Sequence, residues 1–206
     1  GVELMAANRI LPASDFIRHK VSGSPAVHAD AFRYKMISMQ NVIWVDADVL
    51  CVKPWDFQDQ WVFGWEKTGR LVCNAVLGLP RFSRTLQRLN AFCENEYPIP
   101  PWAKGEERAQ LEAAHAAGNP VHVSELKWGV WGPSALTHFL NETGEMAHVK
   151  PQMAFFQISF KERRNLLSPG YIVEKKIDDG CYGVHLWNRR LSRRLITHEG
   201  GIPHPE

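Results

Sequence analysis

The sequence Val42-Ile43-Trp44-Val45-Asp46-Ala47-Asp48-Val49-Leu50 decides the fold prediction. It contains an apolar run, rich in β-branched residues, that ends at a pair of aspartates, which predicts a buried strand with carboxylates at its carboxyl end. Open α/β sheets bind ligands at that end of their strands. Side chains two residues apart on an extended backbone point to the same side, so Asp46 and Asp48 are expected to act together. Carboxylates bind Mg²⁺ and Mn²⁺ and accept hydrogen bonds from ribose hydroxyls, so the pair indicates metal-assisted chemistry on a phosphorylated substrate.

On either side of this stretch, predicted helices alternate with short apolar strands, which is typical of the α/β class. The preceding helix is expected to run from Pro25 to about Met39, because Ser24 can cap it and proline suits the first helical position. The other expected helices lie at 83–97, 106–117 and 133–140, and the expected strands lie at 2–5, 42–45, 49–52, 61–65 and 71–79. The part after Val149 is expected to form short strands and loops.

The composition is that of one globular domain covering residues 1–206. Hydrophobic residues make up 45% of the chain, enough for a full core, and the net charge of +2 gives no indication of nucleic-acid binding. No apolar run approaches the roughly 18 residues of a membrane span, and the first residues lack the basic start and apolar core of a signal peptide. The cysteines are widely spaced without a CxxC pair, which predicts reduced thiols in a cytoplasmic protein. They are Cys51, Cys73, Cys93 and Cys181.

Asp30 and Arg33 lie three residues apart on the predicted helix, so they share one face. Two interpretations stay open from this pair alone. The commoner one is a solvated salt bridge that contributes little stability. The other is a binding site in which Asp30 holds sugar hydroxyls while Arg33 contacts sugar or phosphate.

The order of these motifs resembles that of the DXD-containing glycosyltransferases. The motifs are His28-Ala29-Asp30-Ala31-Phe32-Arg33-Tyr34, then the strand-and-acid stretch, then Lys53-Pro54. The similar proteins are the α1,4-galactosyltransferase and initiating mannosyltransferase group and, more distantly, the glucosylating clostridial toxins. The resemblance implies a GT-A fold, which is a Rossmann-like mixed sheet with flanking helices. It also implies a nucleotide-sugar donor, a divalent metal, a glycan or lipid-linked acceptor and retention of the anomeric configuration.

Carried over by position, the resemblance implies a role for each residue of these motifs. Asp48 would bind the metal directly, while Asp46 would contact the ribose and also reach the metal. Trp44, on the same side of the strand as Asp46, would approach the nucleotide. Asp30 and Arg33 would belong to the catalytic set and hold the donor sugar.

Two further segments extend the resemblance. Asn74 and Ala75 fall in a segment similar to the family's N-A-V strand, whose Asn contacts the donor sugar; a capping or ladder Asn at a bulge is an equal alternative. The segment 128–137 is similar to the family's T-G-P-x-x-L-T motif, and Glu125 just before it would face the anomeric carbon as a catalytic acid. An acid in such a place more often caps a helix or faces solvent.

The carboxyl-terminal segment Gly183-Val184-His185-Leu186-Trp187-Asn188 closes the pattern. An isolated His on an apolar stretch is usually structural, but a C-terminal His-x-Trp resembles the third element of the metal site in related enzymes. His185 would then join Asp46 and Asp48, and an imidazole ligand suits Mn²⁺ better than Mg²⁺. The basic residues that follow are expected to steer diphosphate, to contact an anionic membrane surface as a peripheral anchor, or to form a solvated tail. They are Arg189, Arg190, Arg193 and Arg194.

The region before Asp30 departs from the family pattern. Family members usually begin with a strand and a Gly-containing loop that bind the nucleotide base, followed by a second strand, and neither precedes Asp30 here. The chain also starts with Gly rather than Met, so the sequence predicts a GT-A-like domain truncated at its N-terminus. A UDP-sugar is the favoured donor, but the choice between UDP and GDP stays open.

Two other functions compete for the same motif. In a phosphatase of the haloacid-dehalogenase type, Asp46 would be the nucleophile and Asp48 the general acid. That class needs a second acid cluster after an apolar strand, and Asp178-Asp179 is not preceded by one. A non-catalytic sugar-binding module is the third candidate, although a binding module has less need of a metal–diphosphate site.

Overall fold

The computed structural model describes residues 2–12, 14, 16–168 and 170–192, which form a mixed α/β fold. The α-helices are α1 (Ala26–Gln40), α2 (Arg84–Cys93), α3 (Gly105–Ala116), α4 (Pro133–Thr143) and α5 (Met153–Phe156). The strands are β1 (Trp44–Val45), β2 (Val49–Cys51), β3 (Val62–Lys67), β4 (Leu71–Gly78) and β5 (Gly183–His185). A further helical turn occupies 188–192. No helix in this part of the chain is both long enough and apolar enough to cross a membrane.

The strands form two small antiparallel sheets rather than one larger open sheet. The first has the order β1-β4-β3, and the second pairs β2 with β5. Three strands at most share one sheet, so the described residues establish the mixed α/β class and no finer fold.

The buried strand expected at 42–45 is wrong in length and in burial. Only Trp44 and Val45 pair with β4, and Val42, Ile43 and Val45 are 37–39% exposed. The physical reason is that β1 lies at the edge of its sheet, so one side of it is not covered by another strand among the described residues. The strand expected at 2–5 is also wrong, because that segment has no regular structure and Val2 and Leu4 are 94% exposed.

The helix that carries Asp30 and Arg33 forms where the sequence predicts it. The Ser24 hydroxyl accepts a hydrogen bond from the Ala26 backbone N–H at 3.2 Å, which satisfies a donor at the open end of α1. The helix ends at Asn41, which adopts a left-handed conformation (φ 54°) and donates its N–H to Ile37. Its inner face is fully buried at Tyr34 and Ile37.

Strand β4 is the centre of the fold because it is buried along almost its whole length. On one face, α4 packs against it, and side chains of α1 and α2 join the same core, to which Tyr34, Leu77 and Leu136 belong. On the other face, Phe155 and Phe156 of α5 pack against it. Asn74 and Ala75 of β4 therefore lie between two hydrophobic clusters, and polar groups at that position need partners.

Candidate functional site

A pocket of about 580 Å³ lies where α1, the turn after β1, the β3–β4 hairpin and the segment after β5 meet. It collects most of the residues that the sequence singled out. Those that line it are Asp30, Arg33, Asp46, Asp48, Asn74, Ala75 and His185.

The two aspartates reach the pocket through a turn, not through an extended strand. The Asp46 backbone N–H donates to Ala75 O at 2.7 Å, which anchors the end of β1 to β4. Residues 47–48 then form a turn that is closed by a hydrogen bond from Val49 N–H to Asp46 O at 3.0 Å. The expectation that Asp46 and Asp48 lie on an extended strand is therefore wrong. Both residues nevertheless line the same pocket.

Pairing of β2 with β5 brings His185 to the aspartates across a long sequence separation. Val49 is opposite His185 in the ladder, and the Asp48 backbone carbonyl accepts from Leu186 N–H at 2.8 Å. The Asp48 side chain accepts from the Asn188 backbone N–H at 2.8 Å. These bonds fix the distance between the turn and the C-terminal segment.

Asp46, Asp48 and His185 form a group that could hold a metal ion. Each offers one ligand atom, and these atoms lie within 4.8 Å of one another. His185 Nε2 lies 3.2 Å from Asp48 Oδ1. Partial burial raises the pKa of Asp48, but the hydrogen bond and charge of His185 and the Asn188 N–H outweigh it, so the pKa lies below its usual range.

The donor set fits a first-row divalent cation. Two carboxylates and an imidazole combine hard oxygen ligands with a nitrogen ligand. This combination suits Mn²⁺ better than Mg²⁺. The His185 Nδ1 is buried and has no hydrogen-bond partner among the described residues. The ring is instead held by packing against Trp187, with centroids 4.1 Å apart, and against Phe156 at 5.7 Å.

Arg33 connects the candidate metal-binding group to a buried polar network. Its guanidinium nitrogens lie 3.3 Å from Asp30 Oδ1 and 3.3 Å from Asp46 Oδ1, and it donates to the Asn74 backbone carbonyl. The Asp30 and Arg33 side chains are only 7% and 6% exposed. The commoner interpretation, a solvated salt bridge, is therefore wrong for this pair, because Asn74 of β4 and the backbone of Gly132 lie against it.

The charge balance of this network is uneven because one guanidinium serves two carboxylates. Burial raises the pKa of Asp30 to about 6, although Arg33 and Asn74 act against it; Asp46 adds to the rise. Burial disfavours the charged form of Arg33, yet Asp30 and Asp46 outweigh it and raise its pKa above the usual value. Arg33 therefore stays charged, and Asp30 is the group whose ionisation is costly.

Asn74 and Tyr34 complete the network. The Asn74 side-chain amide donates to Asp30 Oδ1 at 2.8 Å and to the Tyr34 hydroxyl at 3.4 Å. The Tyr34 hydroxyl donates to Trp131 O at 2.8 Å. A Cβ added to Gly132 would lie 2.7 Å from Asp30 Oδ2, so the absence of a side chain at 132 lets the backbone cover Asp30.

Trp44 contacts two residues of the site, Asp46 and Arg33. Its indole Nε1 donates to Asp46 Oδ1 at 2.6 Å, and the Arg33 guanidinium lies 5.0 Å from the centre of its ring. Trp44 does not line the pocket. The indole thus orients Asp46, while its expected approach to a nucleotide stays a prediction.

Glu125 is not brought to the pocket. It lies on the surface, where its carboxylate is 2.8 Å from Lys20 Nζ and its side chain is 45% exposed. Of the basic residues at the carboxyl end, Arg189 and Arg190 line the pocket, and Arg189 lies 4.5 Å from the ring of Trp128. Arg193 and Arg194 lie outside the described residues.

Sequence reasoning missed Glu66, a carboxylate of β3 that lines the same pocket. It follows the apolar run Trp61–Trp65 as Asp46 follows the run before it, and that shared pattern is the signal that was available. Burial raises the pKa of Glu66, while Lys67, His185 and Cys73 act in the opposite direction.

The comparisons with known proteins add no assignment. No family model, no curated protein and no solved structure matches this chain. The resemblance to DXD glycosyltransferases therefore stays a prediction from the sequence, and the function has to be argued from the residues of the pocket.

Proposed function

We propose that this chain is a metal-dependent, retaining glycosyltransferase of the GT-A type. It would transfer a sugar from a nucleoside-diphosphate donor, with UDP-sugars favoured, to a hydroxyl of a glycan or lipid-linked acceptor. One observation carries the proposal: the residues that could hold a divalent cation share a pocket with the buried network of Arg33 and Asn74. A cation beside polar pocket walls suits a substrate that joins a diphosphate to a polyhydroxylated group.

Mn²⁺, with Mg²⁺ as the second choice, is the cofactor that this proposal requires. Asp46, Asp48 and His185 would hold it, and when bound it supplies positive charge that stabilises the departing diphosphate. The Asn188 N–H and the Trp44 indole orient the two carboxylates at 2.8 and 2.6 Å, so little reorganisation is needed when a cation binds.

Arg33 would contribute a second, fixed positive charge. Its guanidinium is held between Asp30 and Asp46, and a preorganised charge stabilises developing negative charge without reorganising at the moment of reaction. Asp30 Oδ1 is already occupied by Arg33 and Asn74, so Asp30 acts as a positioning residue in this proposal.

The transfer itself would proceed on one face of the sugar. The bond between the anomeric carbon and the diphosphate oxygen breaks, the acceptor hydroxyl oxygen forms the new bond from the same side, and its proton passes to the departing phosphate oxygen. This route needs no enzyme nucleophile. It does need the diphosphate to be held firmly, which is the task of the cation and of Arg33.

The phosphatase alternative is less well supported by the same geometry. Asp178 and Asp179, which would supply the second acid cluster, do not line the pocket. A non-catalytic sugar-binding module would use the same pocket and is distinguished by turnover.

The test is release of nucleoside diphosphate from UDP-glucose, UDP-galactose, UDP-GlcNAc and GDP-mannose, with and without Mn²⁺. The proposal expects release from at least one donor only with Mn²⁺, and loss of it in Asp48→Asn. Glu142→Gln is the matched control, because Glu142 pairs with Arg88 on the surface. Activity without metal, or release of phosphate from p-nitrophenyl phosphate, would overturn the proposal.

A further inference from the structure

Glu66 lies at an irregularity of the β3–β4 hairpin. Trp65 pairs with Val72 and Lys67 pairs with Leu71, so Glu66 is an extra residue that has no partner position on β4. Such a β-bulge bends the strand and changes the direction of a side chain, and bulges are frequent next to active sites. At this bulge, Glu66 lines the pocket that also contains Asp46 and His185.

Among the residues that the structure describes, the carboxylate of Glu66 has few hydrogen-bond donors for its degree of burial. Its side chain is 13% exposed. The Cys73 thiol lowers the pKa of Glu66 as a neighbouring donor, and a thiol is a weak donor. The Lys67 ammonium is 3.9 Å away and mostly exposed, so solvent screens it. A buried carboxylate with such partners is stabilised when a ligand brings stronger hydrogen-bond donors.

The chemistry of the pocket limits what those donors are. Glu66 is not part of the group of residues whose ligand atoms lie within 4.8 Å of one another, so a metal ion at that group does not explain it. A carboxylate repels phosphate and other anions. The groups of a nucleotide-sugar that can donate to a carboxylate include the hydroxyl groups of the sugar, which form short, charge-assisted hydrogen bonds.

We infer that Glu66 accepts hydrogen bonds from hydroxyl groups of the sugar that the donor carries, and that it helps to determine which sugar is bound. This inference rests on the proposed function. It separates two tasks within one pocket. Asp46, Asp48 and His185 serve the diphosphate end of the donor, whereas Glu66 serves the sugar end.

Because different residues serve the two ends of the donor, substitution of Glu66 is expected to weaken binding of the sugar and not of the diphosphate. Glu66→Gln keeps the size of the side chain and an acceptor for the Cys73 thiol but removes the charge. A hydrogen bond to a charged group is stronger than a neutral one, and the difference corresponds to about a tenfold change in affinity. Binding of the nucleotide without its sugar is not expected to weaken, because Glu66 does not serve the diphosphate.

The experiment measures dissociation constants by titration calorimetry in the presence of Mn²⁺. The probes are UDP-glucose, UDP-galactose, UDP-GlcNAc and GDP-mannose, each compared with its free nucleotide, UDP or GDP. The variants are Glu66→Gln and Glu66→Ala, with Glu112→Gln as the control, because Glu112 pairs with Arg108 on the exposed face of α3. Affinity for UDP or GDP reports whether each variant is folded.

In the wild-type protein, at least one donor is expected to bind more tightly than its free nucleotide. Glu66→Gln should reduce that advantage about tenfold and Glu66→Ala at least as much, while Glu112→Gln leaves it unchanged. If the donor advantage is equal in Glu66→Gln and Glu112→Gln, the inference about Glu66 is wrong and the proposed function stands. If the wild-type protein binds neither donors nor nucleotides, the proposed function fails and the role of Glu66 fails with it.

Discussion

Two groups of polar side chains share the pocket, one around Asp30 and one around Asp48. They differ in how completely their polar atoms are paired within the protein. Around Asp30, each charged or amide group has a partner inside the protein, and the Asp30 and Arg33 side chains are 7% and 6% exposed. Around Asp48, the side chain is 24% exposed, and its carboxylate belongs with Asp46 and His185 to the group that could hold a metal ion. The first group is closed, and the second can still accept a ligand.

This difference separates a supporting role from a binding role. Removing one member of a closed network of buried charges leaves the others unpaired, which lowers the stability of the fold. A partly open turn contributes little to stability, but it has ligand atoms available to a cation. Substitutions in the first group are therefore expected to change stability, and substitutions in the second are expected to change binding.

Arg33→Ala is expected to have the largest effect. It leaves Asp30 buried without a cation, and removing one partner of a buried ion pair costs about 3–5 kcal/mol. Urea unfolding measures the loss. Arg88→Ala is the control, because the exposed pair of Arg88 with Glu142 is worth at most about 1 kcal/mol. Equal losses in the two variants would show that the network is not closed.

Asp48→Asn is expected to have the converse effect. The amide oxygen can still accept from the Asn188 N–H, so the free energy of unfolding should change by less than about 1 kcal/mol. Mn²⁺ affinity should fall by roughly 100-fold, because a charged ligand is lost. Calorimetric titration with Mn²⁺ checks this, and a variant that binds Mn²⁺ as the wild type does would remove Asp48 from the metal site.

The pH dependence of stability gives the next effect. Burial raises the pKa of Asp30 to about 6, whereas an unfolded aspartate titrates near 4. The native protein therefore binds more protons between about pH 4 and 6, so the stability that Asp30 contributes is complete below this window and falls as the pH rises through it.

Asp30→Asn isolates this contribution, because the amide does not titrate. The stability of the wild type relative to the variant is expected to fall by roughly 2–3 kcal/mol between pH 4 and pH 7. Urea unfolding at pH 4, 5, 6 and 7 measures it. A relative stability that does not change with pH would mean that Arg33 and Asn74 fully offset the burial of Asp30, and one that rises with pH would mean that they outweigh it.

Glu125→Gln is expected to have the smallest effect. Glu125 is 45% exposed and pairs with the exposed Lys20, so the loss of stability should stay below about 1 kcal/mol. Affinity for Mn²⁺ and turnover should match the wild type. A large loss of turnover with an unchanged fold would return Glu125 to the catalytic set that the sequence suggested.

The comparison also shows which features local sequence patterns could predict. Helix α1 was predictable, because Ser24 and Pro25 are local signals of a helix start. The meeting of Asp46, Asp48 and His185 came from the resemblance, and the described geometry brings their ligand atoms within 4.8 Å. Burial of the Asp30–Arg33 pair was missed, because the residues that cover it lie more than 40 positions away along the chain.

The register of the β3–β4 pair and the edge position of β1 are the other features that the sequence could not supply. Glu66 enters the pocket because β3 and β4 slip by one residue, and register depends on both strands and on the turn between them. The strand at 42–45 was expected to be buried because its residues are apolar, but β1 lies at a sheet edge. Apolar composition does not distinguish an edge strand from a central one.

The most direct test is a crystal of the protein soaked with Mn²⁺ and UDP and measured at the manganese absorption edge. The expected result is an anomalous peak coordinated by Asp46, Asp48 and His185, with the diphosphate bound to the same ion inside the pocket. An anomalous peak at another place, or a diphosphate bound away from these residues, would contradict the proposed metal-dependent sugar transfer.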